Sequence, residues 1–99
     1  MKDQREHLNN CLRKQRRLRG LRQSDVAEIL GLRGTGMISR WEQGVCLPDS
    51  LNMLKLSIIY RTLVDGLFIE LVRILREELL AKEAEVLQAR HDPGDVTKN

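Results

Sequence analysis

Residues 23–44 read QSDVAEILGLRGTGMISRWEQG, and the spacing of small, apolar and turn residues here predicts two short helices meeting at a tight turn. Val26 and Leu30 are one helical turn apart with Ile29 beside them, while Ser24, Asp25 and Glu28 fall on the opposite side. That is an amphipathic helix over about 23–30. Ala27 lies within its apolar face, where a minimal side chain lets a second helix come close. Gly31 follows directly, able to take the left-handed conformation that ends a helix without strain. Leu32 can then enter the core, Arg33-Gly34 completes the turn, and Thr35 is placed to cap a second helix over about 35–42 through its hydroxyl. In that helix Ile38 and Trp41 face inward, and Thr35, Gly36, Met37, Ser39 and Arg40 face outward. Gly44 is the expected stop, with Pro48 beyond it. Two helices in this relation form a helix-turn-helix, a frame that lays its second helix into the major groove of duplex DNA.

The residues Gly20-Leu21, Gln23, Val26-Ala27, Leu30-Gly31, Ile38-Ser39-Arg40-Trp41-Glu42, Gly44 and Pro48 resemble, in that order, the Xre-like family of Cro/C1 phage-repressor-type regulators. The likeness extends upstream to Leu12 and Arg16 and downstream through Leu54, Asp65 and Leu67-Phe68. It implies an all-α, five-helix DNA-binding domain, here with an extended C-terminal helix. Two positions depart from the family pattern. Arg22 stands where a Ser or Thr cap is usual, a loss of about 1 kcal/mol that Asp25 at the third helical position can partly offset. Gly31 and Ile38 are separated by one residue more than in the commonest family form, so base-contact roles carry over around Arg33 to Gly36 only to within one position.

The resemblance implies that Gln23, at the start of the second helix, bonds a phosphate, and that Glu42 pairs with an arginine of the first helix, here Arg16. Arg40 projects outward one turn into the recognition helix, where a guanidinium can fork onto guanine O6 and N7 or rest on a phosphate. At the helix start Thr35 can bond a base edge or serve only as a cap, Met37 can touch a thymine methyl, and Gly36 offers close backbone approach. Ser39 can reach a phosphate or a base. Arg33 and Arg13 suit phosphates, or are ordinary solvated charges.

Charge is unevenly placed along the 99 residues. Residues 1–47 hold ten Lys/Arg against five Asp/Glu, and residues 48–99 hold seven against nine, so the basic half is the half with the motif. Arg13, Lys14, Arg16, Arg17, Arg19 and Arg22 crowd the first helix and its exit. Alone, such a run is a solvated face; beside a helix-turn-helix it points toward a polyanion.

Beyond Pro48, the segment with Leu51, Leu54, Leu56, Ile58 and Ile59 predicts another core helix, and Asp65 is a suitable cap for a final one. From Phe68, the residues Val72, Leu75, Leu79, Lys82, Val86 and Ala89 step by three and four, a heptad seam interrupted by Lys82 and broadened by Leu71 and Leu80. A helix over 67–90 exceeds what the small domain needs. Val72, Leu75, Leu79 and Val86 are therefore expected to join two copies, unless the stripe folds back on its own domain. The expected organisation is a DNA-binding domain over 1–66, a dimerisation helix over 67–90 and a disordered tail over 91–99. A two-fold dimer would read two half-sites about 34 Å apart, hence a pseudo-palindromic operator.

Other classes find little support in the residues. His7 and His91 lie near the ends, and no serine sits in a nucleophile-elbow or phosphate-loop motif; the carboxylate pairs Glu77-Glu78 and Glu83-Glu85 fit a solvated helix face. No enzyme, metal or cofactor is expected. Cys11 and Cys46 lack ligands at metal spacing and are expected to be reduced thiols. The first ten residues carry no apolar core segment, and Asp65, Glu70 and Arg73 interrupt the most apolar later region. The expectation is a cytoplasmic, nucleoid-associated transcriptional regulator, a repressor acting as a homodimer on double-stranded DNA. The alternatives are an antitoxin whose C-terminal helix grips a partner toxin, or a protein-interaction module with a vestigial motif.

Overall fold

In the computed structural model, which describes residues 10–90, the chain forms six helices: α1 (Leu12–Leu18), α2 (Gln23–Leu30), α3 (Gly36–Gln43), α4 (Ser50–Tyr60), α5 (Val64–Leu67) and α6 (Ile69–Arg90). No strand occurs among the described residues. The tail over 91–99, as well as His7 and His91, lies outside them.

The two helices of residues 23–44 form where their spacing puts them, because both stops work as local chemistry requires. Gly31 and Gly44 take φ of 75° and 78°. At each, two backbone bonds close the helix end: Gly31 and Leu32 N–H donate to the carbonyls of Glu28 and Ala27, and Gly44 and Val45 N–H to those of Trp41 and Arg40. This is the Schellman arrangement. The start of α2 is held by Asp25 alone, whose carboxylate accepts the Arg22 backbone N–H at 2.8 Å. Thr35 is the residue before α3, but its hydroxyl makes no capping bond, contrary to the expectation for it.

Leu12, Val26, Ala27, Ile38, Trp41, Leu56, Tyr60, Leu67 and Phe68 form the core, so every helix up to α5 contributes. α3 packs against both α1 and α2. Burial of a side chain such as Ile38 or Leu56 contributes about 1.5–3 kcal/mol. Ile29, read as part of the buried face of α2, is instead exposed.

α4 starts at Asp49, whose carboxylate accepts the Asn52 N–H at 2.8 Å. Its apolar residues divide differently from expectation. Leu56 and Tyr60 are buried and Met53 and Ile59 half-buried, but Leu51, Leu54 and Ile58 face away from the domain, Ile58 at 74% exposure. α4 ends in the same double hydrogen bond as α2 and α3, with Arg61 in the left-handed position at φ 53° where the others have glycine. An L-residue there is strained, and glycine's greater freedom in the unfolded chain offsets only part of the relief. Arg61→Gly is expected to stabilise the fold by about 0.5–1 kcal/mol in urea unfolding; a loss of stability would mean that the Arg61 side chain contributes more than the strain costs.

The expected helix over 67–90 is broken at its start, which makes six helices rather than five. Asp65 lies inside α5, whose preceding residue is Leu63, and does not cap α6. Phe68 leaves helical geometry at φ −133°, ψ 53°. The break has a partner far along the chain: the Leu67 carbonyl, released from helical bonding, accepts the Cys11 N–H at 2.9 Å and ties α5 to the start of α1. Leu67 and Phe68 are both buried as a result. Leu71 and Val72 then pack on the core, whereas every residue from Arg76 to Arg90 is exposed.

Candidate nucleic-acid interface

Glu42, near the end of α3, points into the junction of α1 and α2, with its side chain 1% exposed. A buried carboxylate must be paired, and three donors converge on it. Arg16 of α1 donates from Nε to Oε2 at 2.6 Å and from Nη2 to Oε1 at 3.1 Å, a fork that fits the two oxygens. The third guanidinium nitrogen, Nη1, donates to the Leu21 carbonyl at 3.0 Å and so secures the α1–α2 connection. Gln23 Nε2 donates to Glu42 Oε1 at 3.0 Å, and Arg13 Nε to the same oxygen at 3.3 Å. Burial alone would push the Glu42 carboxyl up, but bonds from Arg16, Gln23 and Arg13 together hold it below the usual carboxylate range. The bond to Glu42 correspondingly raises Arg16 above its ordinary value.

The ion pair expected between Arg16 and Glu42 is thus present, and it does more than brace two helices. It orients Gln23 at the first position of α2 and Arg13 on the exposed side of α1. Gln23 has a second amide N–H and a carbonyl oxygen beyond its bond to Glu42, and Arg13 is half exposed and bonds Glu42 through Nε, with two further guanidinium nitrogens as donors.

On α3 itself, Gly36, Met37, Arg40 and Gln43 are exposed at helical spacing and form one stripe, opposite the buried Ile38 and Trp41. Thr35 and Ser39 are half-buried at its edge. Ser39 Oγ accepts from Gln43 Nε2 at 2.9 Å, which leaves its hydroxyl proton as a donor. Arg33 and Gly34 are exposed in the turn ahead of α3, but no hydrogen bond or ion pair joins Arg33 to the other candidates among the described residues. Arg40 likewise has no acidic partner among them, nor do Lys14, Arg17 and Arg19 on or just after α1. Such exposed guanidinium and ammonium groups give the outer surfaces of α1 and α3 an excess of positive charge.

Two participants escaped the sequence reading. Gln43 lies one turn beyond Arg40 on the exposed stripe, and continuing the outward spacing of Gly36, Met37 and Arg40 would have found it. Asn10 is the other: its amide donates to the Trp41 carbonyl at 2.9 Å while its Oδ1 accepts the Leu12 N–H at 3.0 Å, fastening the end of α3 to the start of α1. Its only signal is a cap-forming residue just ahead of a helix.

Of the expected dimer seam, Val72 packs on its own domain and Leu75 is half-buried, whereas Leu79 and Val86 are exposed. Both cysteines are free thiols, Cys46 exposed and Cys11 half-buried. Among the described residues no group of three His, Cys, Asp or Glu side chains is arranged for a metal, and no helix is long and apolar enough to cross a membrane. Compared with family models, with curated proteins and with solved structures, the chain gives no match.

Proposed function

We propose that this chain is an Xre-like, sequence-specific regulator of transcription that binds double-stranded DNA as a homodimer, with α3 in the major groove, and represses by occupying a promoter. The observation that carries the reading is an exposed stripe on α3 whose Arg40 has no acidic partner among the described residues, together with Gln23 and Arg13, both held by the buried Glu42 of the same helix. A groove-reading helix needs two kinds of group, some that fix its register on phosphates and some that reach base edges. Gln23, Arg13 and Arg33 supply the first; Arg40, with Met37, Thr35, Ser39 and the backbone at Gly36, supplies the second. The eight residues of α3 span about 12 Å, enough to present Gly36 to Gln43 along the floor of one groove segment.

Selection of bound sequences from a random duplex pool tests the reading directly. The expected product is a pseudo-palindrome with half-sites about one helical turn apart; a pool that remains random after repeated rounds would contradict it. On the selected site Arg40→Ala should cost about 1–3 kcal/mol and relax preference at one base pair in each half-site, whereas Gln23→Ala should weaken all sequences alike. Equal, sequence-blind losses from both variants would remove Arg40 as a reader. An antitoxin of this type would use the same interface and add a protein contact through α6, whose outer half is exposed.

A further inference from the structure

Two of the apolar patches left exposed on the described chain are each centred on a charged residue of opposite sign. The first is the outer half of α6, where Leu79, Leu80, Val86 and Leu87 are exposed at spacings of three and four around Glu83, while Lys82 at the edge of the stripe pairs with Glu85 at 3.4 Å on its own helix. The second is an open groove of about 170 Å³ between α2 and α4, lined by Ile29, Leu30, Ile58 and Ile59 with Lys55 as its one charged residue. Leu51 and Leu54 continue the exposed face of α4 beside it. An apolar cavity of about 150 Å³ accepts a benzene-sized group, so the groove has room for a leucine side chain.

We infer that the groove between α2 and α4 is the docking site for the outer half of α6 of a second copy of this chain, with Glu83 of one copy set against Lys55 of the other. Charge selects this arrangement over the pairing of α6 with itself. A stripe centred on Glu83 that pairs with its own kind, parallel in register or antiparallel about its middle, brings two Glu83 carboxylates together. Laid in the groove, the same carboxylate meets an ammonium group that has no acidic partner among the described residues of its own chain. Area points the same way. A specific interface takes about 800 Å² from each partner, and the exposed end of α6, about 22 Å long from Arg76 to Arg90, gives too little when paired only with its equal. In the reciprocal arrangement each copy contributes both patches, the contact is made twice across a two-fold axis, and both surfaces are covered at once. The arrangement does not depend on the DNA-binding reading, and none of the groove's lining residues belongs to the α3 stripe.

Sedimentation equilibrium without DNA, in reducing buffer at low salt, tests it with a charge swap at two exposed positions that the fold does not need. The wild-type chain is expected to be a dimer. Lys55→Glu and Glu83→Lys should each raise the dimer dissociation constant about 10–100-fold, and the double variant should recover most of the loss. An unchanged constant for Lys55→Glu would overturn the proposal, because pairing of α6 with itself does not involve Lys55. Failure of the double variant to recover, or a wild-type chain that stays monomeric at millimolar concentration, would overturn it as well.

Discussion

Glu42→Ala is expected to lower the free energy of unfolding by about 3–5 kcal/mol, out of the total of about 5–15 kcal/mol usual for a domain of this size. The variant does not only remove a contact. It leaves the Arg16 guanidinium, itself 9% exposed, with a single remaining acceptor in the Leu21 carbonyl, and a buried charge without its counter-charge is costly. Arg16→Ala should cost a similar amount for the reciprocal reason. A double variant with two apolar residues of similar volume, Arg16→Met with Glu42→Leu, should lose much less than the two single losses added together. Additive losses would show that the pair is not a coupled unit.

The same pair sets a pH dependence whose sign follows from the direction of the shift. Because the folded carboxyl sits below its ordinary value of 4.5, Glu42 contributes stability that is fully present above that value and is lost as pH falls through the lower, folded-state value. Urea midpoints measured from neutral to acidic pH should therefore fall at the acid end in the wild-type chain. In Glu42→Gln, which cannot ionise, that part of the decline should be absent. Tyr60, packed in the same core, is pushed up to about 12 by burial first and by the nearby Glu42 carboxylate second, and it stays neutral throughout this range.

What could be read in the sequence was what is decided within one or two helical turns. Gly31 and Gly44 end their helices because the left-handed position falls where the apolar period stops, and Ile38 with Trp41 marks the inward side of α3 by spacing alone. The outer residues of α4 were misread because the helix is apolar on nearly all sides. With Leu51, Leu54, Leu56, Ile58 and Ile59 all present, only packing against other helices, α5 among them, decides that Leu56 turns inward and Ile58 does not. The break at Phe68 was hidden for a related reason: it depends on a backbone bond between Leu67 and Cys11, far apart in the chain. The bond from Gln23 to Glu42 also joins two helices, so its role in orienting Gln23 emerges only once α1, α2 and α3 are in place. Along α6, Val72 and Leu75 of the expected seam turn toward their own domain while Leu79 and Val86 stay exposed, a division that heptad spacing does not show.

The largest effect the account predicts is on binding rather than on stability. If α1 and α3 face duplex DNA, then Arg13, Arg17 and Arg33 from each of two copies neutralise about six phosphates and displace their counterions, so the logarithm of the association constant should fall against the logarithm of salt with a slope near −5. Between 50 and 200 mM salt this is a loss of about 10³-fold, more than any single substitution proposed for the interface should cause. Arg13→Ala and Arg33→Ala should each flatten the slope by about 2 units in the dimer, one for each copy, with no change in the preferred sequence. A chain that contacts only other proteins would have no such dependence. Titration of a fluorescent duplex with the full chain across that salt range is therefore the most direct test: a slope near −5 is predicted, and absence of binding at low salt, or binding indifferent to salt, would contradict the assignment of this surface to DNA.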